Sequence, residues 1–245
     1  MNQYGEVFSK IYDRHFGGYA DQLAPRLLRF LASQAAGVDG GRVLDLGCGT
    51  GQLAFRLLEA GYSLTGLDRS QDMLDIAETR CRKHLLTGRA RFQRADISSF
   101  RVEPPQDFAI STYNTMNHLE EDGRLRGCFR SVREVLVPGG HLFFDYHTVL
   151  GLREWASRES VEWDEGGVTV EGSFDEGRGF ARMSISGSSA GVAFKEEITN
   201  QSYPVHEIGK WLREEGFDEV RILDLADFSP CPDPEHESRV GIHAR

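Results

Sequence analysis

Three acidic residues stand in or just after short apolar runs. They are Asp45 within Val43-Leu44-Asp45-Leu46, Asp68 after Leu64-Thr65-Gly66-Leu67, and Asp96 before Ile97. Gly47-Cys48-Gly49-Thr50-Gly51 follows the first of them, and glycines at such a turn let a ligand lie directly against the backbone. Beyond the turn, Leu53, Ala54, Leu57 and Leu58 recur at helical spacing, and Gly61 sits where a C-cap belongs. The stretch therefore reads as buried strand, tight turn and helix, with the ligand near the helix N-terminus.

The three acids suggest which ligand. In a doubly wound sheet the parallel strand ends emerge on one edge, where ligands bind. Asp68 there suits the two hydroxyls of a ribose. Asp96 can accept from the exocyclic amine of an adenine while Ile97 covers the ring. An acid at a strand end also caps the next helix, but agreement among all three ends favours ligand contact. The nicotinamide fingerprint G-x-G-x-x-G fails here, because Gln52 stands at the third-glycine position. Asp45 would repel a pyrophosphate and welcome an ammonium. An adenosine ligand with an amino-acid tail satisfies every requirement.

Bulk properties limit the alternatives. The 245 residues suffice for one domain, or one with an insertion, and 40% hydrophobic with 27% charged content is ordinary for a globular chain. A balance of 28 basic against 38 acidic residues, net −10, argues against a nucleic-acid partner. Cys48, Cys81, Cys128 and Cys231 lack C-x-x-C spacing, so no metal site is expected and reduced thiols in the cytoplasm are. The first residues lack a basic n-region and an apolar h-region, so no secretory signal is expected, and no apolar run approaches the ~20 residues that span a bilayer.

The elements that must position these residues alternate regularly. An aromatic stripe of Tyr4, Phe8, Tyr12, Phe16 and Tyr19 predicts a helical face, packed on the body or serving as a lid, and Gly17-Gly18 breaks it. A second amphipathic helix spans 21–36. Strands follow at 43–46, 63–67, 90–94, 108–111 and 141–146. Helices at 52–60, 71–81 (capped by Ser70) and 122–137 lie between them. This alternation predicts an α/β fold with a Rossmann-like, doubly wound, mostly parallel seven-stranded sheet. From 159 to 201 the rhythm changes to two, predicting an inserted four-stranded antiparallel β-meander with Glu159, Glu162, Asp164, Glu165, Glu171, Asp175 and Glu176 on a solvated surface. A helix at 205–215 and strands at 219–225 and 238–243 complete the sheet.

Val43–Gly51 resembles motif I of the class I SAM-dependent methyltransferases, SAM being S-adenosylmethionine. The resemblance continues through 64–68, Asp72-Met73-Leu74, Ala95-Asp96 and 136–142. Tyr12-Asp13, Phe144-Asp145-Tyr146-His147, 212–217 and Ser238-Arg239-Val240 are similar to a small-molecule subgroup that includes sugar-amine N-methyltransferases and carries an antiparallel insertion after the fifth strand. It implies a helical lid at 1–36, a SAM-binding core at 37–150, an insertion roofing the acceptor site at 151–202, and completion of the core by 203–245, together one catalytic domain.

Residue roles follow from the resemblance. Asp45 with Gly47, Cys48, Gly49 and Gly51 would hold the methionine moiety of SAM, Asp68 with Arg69 and Met73 the ribose, and Asp96 with Ile97 the adenine. Ser111 and Tyr113 would line the sulfonium end. Asn114, Tyr146 and His147 would face a small-molecule acceptor, while His118 and Tyr12 are the catalytic candidates. His118 could be the base that takes a proton from an amine or hydroxyl nucleophile, or only bind substrate or cap a helix. The subgroup often has an acid at the start of the fourth-strand loop, where this chain has Ser111-Thr112-Tyr113. The expected activity is methyl transfer to N or O of a small molecule by a cytoplasmic monomer or homodimer. A non-catalytic SAM-binding protein and a nucleotide-dependent oxidoreductase are the alternatives.

Overall fold

The computed structural model describes residues 4–34, 40–154, 158–163, 166–189 and 191–245. Its frame is a seven-stranded sheet in the order β10-β11-β5-β4-β1-β2-β3. These strands are β1 (Arg42–Leu46), β2 (Ser63–Asp68), β3 (Ala90–Arg94), β4 (Gln106–Ser111), β5 (Leu136–His147), β10 (Val220–Leu223) and β11 (Arg239–Ala244). The pairs from β3 through β5 are parallel, and β11 runs antiparallel to both its neighbours. In β1, Val43, Leu44 and Leu46 have no exposed surface. Burial on both faces is what an apolar run without alternation specifies. The chain leaves β1 for β2 and β3 on one side and returns to β4 on the other. This reversal opens a crevice at the strand C-termini.

Helices cover both faces: α2 (Gly18–Gln34), α3 (Gln52–Glu59), α4 (Gln71–Arg80), α5 (Arg82–Leu86), α6 (Asp122–Val135) and α8 (Val205–Glu214). One core cluster joins Leu27, Leu57 and Phe108 on one side of the sheet, and another joins Phe129, Phe144 and Leu212 on the other. Ser70 caps α4 by accepting from the Met73 N–H at 3.3 Å. Gly61 and Gly216 follow α3 and α8 at φ 101° and 95°. The expected helix at 122–137 ends at Val135, because Leu136 is already extended at φ −78°, ψ 144° and begins β5. The end of the expected helix at 21–36 falls partly outside the described residues.

The second sheet is the expected antiparallel meander of four strands, β6 (Arg158–Trp163), β7 (Gly166–Asp175), β8 (Phe180–Ser189) and β9 (Val192–Gln201). The short α7 (Val149–Glu154) leads into it. Of its acidic residues, Glu171, Asp175 and Glu176 are exposed, whereas Asp164 and Glu165 lie outside the described residues. The aromatic stripe is not one regular helix. It is α1 (Glu6–Ile11) followed by a π-helical turn, Tyr12–Phe16. Phe8 of this segment is buried with Val168, Ile185 and Ile198 of the meander. Among the described residues, no helix is long and apolar enough to cross a membrane.

Candidate active site

The glycine turn is held from below by β2. The Gly47 and Cys48 N–H groups donate to the Leu67 carbonyl at 2.7 and 2.9 Å. Gly47, Gly49 and Gly51 all have positive φ, at 70°, 51° and 75°. A Cβ on Gly47 would lie 2.3 Å from Thr115 Cγ2, and one on Gly51 2.8 Å from Ala77 Cβ. Gly47 therefore admits the loop after β4, while Gly51 admits α4.

The acids at the strand ends differ sharply. Asp45 is 2% exposed, and its Oδ2 is buried without a hydrogen-bond partner. Burial, followed by the nearby charge of Asp68, pushes its pKa up to about 7. A buried carboxylate oxygen left unpaired is costly, and an ammonium placed there would satisfy it. Asp68 accepts from the Gly49 and Ser70 N–H groups, both at 2.9 Å. Burial raises its pKa against the opposing pull of these amides. It thus joins the glycine turn to the start of α4 while also facing the cavity. Asp96 accepts from Ser98 and pairs with Arg124 at 3.0 Å. Burial would raise its pKa, but these partners outweigh it and leave the carboxyl below its ordinary range.

A cavity of about 540 Å³ opens over this edge, within the size range of small-molecule sites. Asp45, Gly47, Cys48, Gly49, Asp68, Arg69, Met73, Asp96 and Ile97 line it along the strand ends. Tyr12, Tyr113, Asn114, His118 and His147 line it as well, together with Val170, Met183, Ile185 and Ile198 of the meander. Three expected site residues are placed elsewhere. Ser111 is 1% exposed and spends its hydroxyl on the Leu46 carbonyl at 2.9 Å, tying β4 to β1. Tyr146 is fully buried, and its hydroxyl accepts from the Tyr203 N–H at 2.8 Å on the far side of the sheet. Its neighbour His147 faces the cavity, as alternation along a strand requires. Gly51 serves backbone packing, not the cavity wall.

The loop leaving β4 carries consecutive left-handed residues, Tyr113 at φ 62° and Asn114 at φ 55°. That conformation costs a non-glycine residue roughly 1–2 kcal/mol. Here it is held by Asp145, which is fully buried. Asp145 accepts the Tyr113 N–H at 2.9 Å and the Asn114 N–H at 2.8 Å. The loop then enters a 3₁₀ turn, Thr115–His118, which presents His118. The His118 Nδ1–H donates to the Thr199 carbonyl at 3.1 Å, leaving Nε2 as an acceptor 3.4 Å from the Tyr4 hydroxyl. Burial, then Arg69, draws the His118 pKa down to about 4 against the Thr199 bond. His147 falls likewise to about 4, from burial and Arg239. Both rings are neutral at pH 7.

The N-terminal segment closes the same cavity. Gln52 donates to the Asp13 carbonyl and carboxylate at 3.0 and 3.1 Å, and Arg80 pairs with Asp13 at 2.5 Å. This anchoring sets Tyr12 against the glycine turn, with its ring centroid 5.9 Å from that of Tyr113. Tyr4, Tyr19, Asp145 and Arg239 belong to the site and were not singled out as site residues from sequence. Asp145 and Arg239 did lie in the matched motifs. An acid inside Leu142-Phe143-Phe144-Asp145-Tyr146 was the available signal, since a carboxylate in a central strand requires buried partners.

Comparison with known proteins agrees with this geometry. Residues 43–140 match the model of a methyltransferase domain family. YqeM of Bacillus subtilis, a provisionally named methyltransferase, is 29% identical over 202 residues, covering 80% of this chain and 81% of its own. Among solved structures, a SAM-dependent methyltransferase from Clostridium acetobutylicum superposes with a TM-score of 0.81 at 21% identity, covering 97% of each chain. The sugar N-methyltransferase KedS8 from Streptoalloteichus gives a TM-score of 0.70 at 19% identity, over 97% of this chain and 92% of its own. The chain has the Rossmann-like fold that these solved SAM-dependent methyltransferases share.

Proposed function

We propose that this protein transfers a methyl group from SAM to an amine or hydroxyl of a small molecule. The observation that carries the donor assignment is the unpaired, fully buried Asp45 Oδ2 beside three positive-φ glycines. Asp45 would take the ammonium of SAM, the glycine turn its methionine backbone, Asp68 with Arg69 and Met73 the ribose, and Ile97 with the Asp96–Arg124 pair the adenine. When bound, SAM supplies a methyl group on a sulfonium, which is a good leaving group. The chain's task is then alignment and exclusion of water.

His118 supports the acceptor half of this reading. With Nδ1–H committed to Thr199, Nε2 is an acceptor that faces the Tyr4 hydroxyl at 3.4 Å, and a nucleophile's N–H or O–H would take that hydroxyl's place. A histidine whose pKa lies near 4 is too weak to strip a proton before attack. It orients the nucleophile's lone pair by accepting its N–H or O–H at Nε2; an oxonium formed from a hydroxyl would pass its proton to Nε2, whereas an ammonium formed from an amine would release its proton to water. Tyr12 and Tyr113 wall the reacting centre, while Asn114 and His147 face the acceptor. The N-terminal segment acts as a lid and the meander as a roof, whose apolar lining favours an acceptor with a nonpolar face. KedS8, a sugar N-methyltransferase, makes aminosugars the first acceptor class to try. Four free cysteines are consistent with action in the cytoplasm. A SAM-binding protein without catalysis is the second reading, and Asn114, His118 and His147 on the cavity wall favour the enzyme.

The test is formation of S-adenosylhomocysteine across a panel of amino and hydroxylated sugars and phenols. His118→Ala should lower kcat on the best acceptor by roughly 10²-fold with SAM affinity kept. Unchanged turnover at every pH would remove His118 from the mechanism.

A further inference from the structure

We infer that Asp145 is a positioning residue for the methyl-transfer site, acting through the backbone of Tyr113 and Asn114 and linked by Tyr19 to the seating of the N-terminal helices. The inference rests on the methyl-transfer reading for its consequence but on independent geometry for its mechanism. Asp145 lies near the C-terminal end of β5, wholly buried, and both carboxylate oxygens are engaged. Oδ1 accepts the Asn114 N–H at 2.8 Å, and Oδ2 accepts the Tyr113 N–H at 2.9 Å. The two N–H groups point the same way because both residues are left-handed. That arrangement makes a small anion-binding concavity, here filled by the protein's own carboxylate.

Oδ2 also accepts the Tyr19 hydroxyl at 2.7 Å, from the second residue of α2. The Tyr19 ring stacks on Tyr113 at 5.1 Å, so helix and loop share both an acceptor and an aromatic contact. Arg239 closes the arrangement. Its guanidinium lies 4.5 Å over the Tyr19 ring, donates to Asn114 Oδ1 at 3.1 Å, and brings Nε within 3.9 Å of Asp145 Oδ2. Downstream, Thr115 fills the space beside Gly47, and His118 follows three residues later. A shift of the Tyr113–Asn114 pair would therefore move the cavity wall beside the glycine turn and the His118 imidazole together. Asp145 itself does not line the cavity. Its effect on the reaction runs through the loop.

Asp145→Asn preserves volume but turns an N–H₂ toward one of the two backbone donors. Tyr19→Phe removes only one hydroxyl at the surface of the same cluster. Amide hydrogen exchange on the full chain is the measurement. We expect Asp145→Asn to speed exchange at 113 and 114 by about tenfold or more, with 43–51 unchanged. Tyr19→Phe should give a smaller acceleration confined to the same loop. For an acceptor that the wild type methylates, Asp145→Asn should lower kcat about 10²-fold while the Kd for SAM stays within threefold. Acceleration spread over the whole sheet, or a loop unchanged in Tyr19→Phe, would overturn the positioning role. If the wild type binds no SAM, the methyl-transfer reading fails, and the exchange data still decide whether Asp145 sets the loop.

Discussion

Asp45 is the residue whose chemistry most constrains the ligand. In the free protein its pKa is near 7, so at neutral pH about half the molecules carry it protonated. An ammonium ligand needs the carboxylate. Below pH 7 binding must therefore expel a proton, and the Kd for SAM should rise by up to tenfold per pH unit. Calorimetric titration at pH 6 and pH 7 checks this, and Asp45→Asn should bind weakly with no such pH dependence. Gly47→Ala sets a Cβ 2.3 Å from Thr115 at φ 70° and should lower SAM affinity at least tenfold through distortion of the glycine turn itself. Asp45, Asp68 and the glycines could be read from sequence because acids and glycines at strand ends have few other reasons to coincide. Tyr146 and His147 could not be sorted, since a strand boundary shifted by one residue exchanges the two faces. Ser111, the last residue of the expected fourth strand, was assigned to the sulfonium end, but its hydroxyl closes a contact with β1, a choice set by which way the final residue of β4 points.

Among elements, the alternation of strand and helix fixed the sheet and the period of two revealed the meander. Both are repeating signals carried by many residues. What stayed hidden was local. The π-helical turn at Tyr12–Phe16 has aromatic spacing indistinguishable from that of an α-helix, and its reason lies in partners distant in sequence. Gln52, read only as a missing third glycine, proves to hold the Asp13 backbone and carboxylate. Together with the partly exposed Arg80–Asp13 pair it fastens the N-terminal segment over the cavity. Breaking that fastening should matter more for exchange of ligand than for stability. Gln52→Ala is expected to raise the SAM dissociation rate severalfold in stopped-flow displacement, with thermal stability changed by only about 1 kcal/mol. An unchanged dissociation rate would mean that the segment does not gate the donor end.

For the whole molecule, buried histidines inside and outside the site set an acid limit on stability. His118, His147 and His243 each have a folded pKa near 4, chiefly from burial, against an ordinary 6.5. Below pH 6.5 the unfolded chain takes up protons that these rings refuse, so their stabilising contribution is lost as pH falls from about 6.5 to 4. Asp45 works in the opposite sense, binding a proton in the folded state between about 3.8 and 7. Asp68, raised by burial, acts with Asp45, and His141, lowered by burial, acts with the other histidines, which leaves a net slope on the order of 1–3 kcal/mol per pH unit. Urea unfolding at pH 6.5, 5.5 and 4.5 should show this loss, and stability that rises on acidification would contradict the burial of these histidines.

The central claim is that the crevice at the strand ends is a methyl-donor site and not a dinucleotide site. Isothermal titration of the full chain with SAM, S-adenosylhomocysteine and NAD at pH 7.5 addresses it directly. One saturable site is expected for SAM and for S-adenosylhomocysteine, strongly weakened in Asp45→Asn, with no heat from NAD. Saturable binding of NAD without binding of SAM would contradict it.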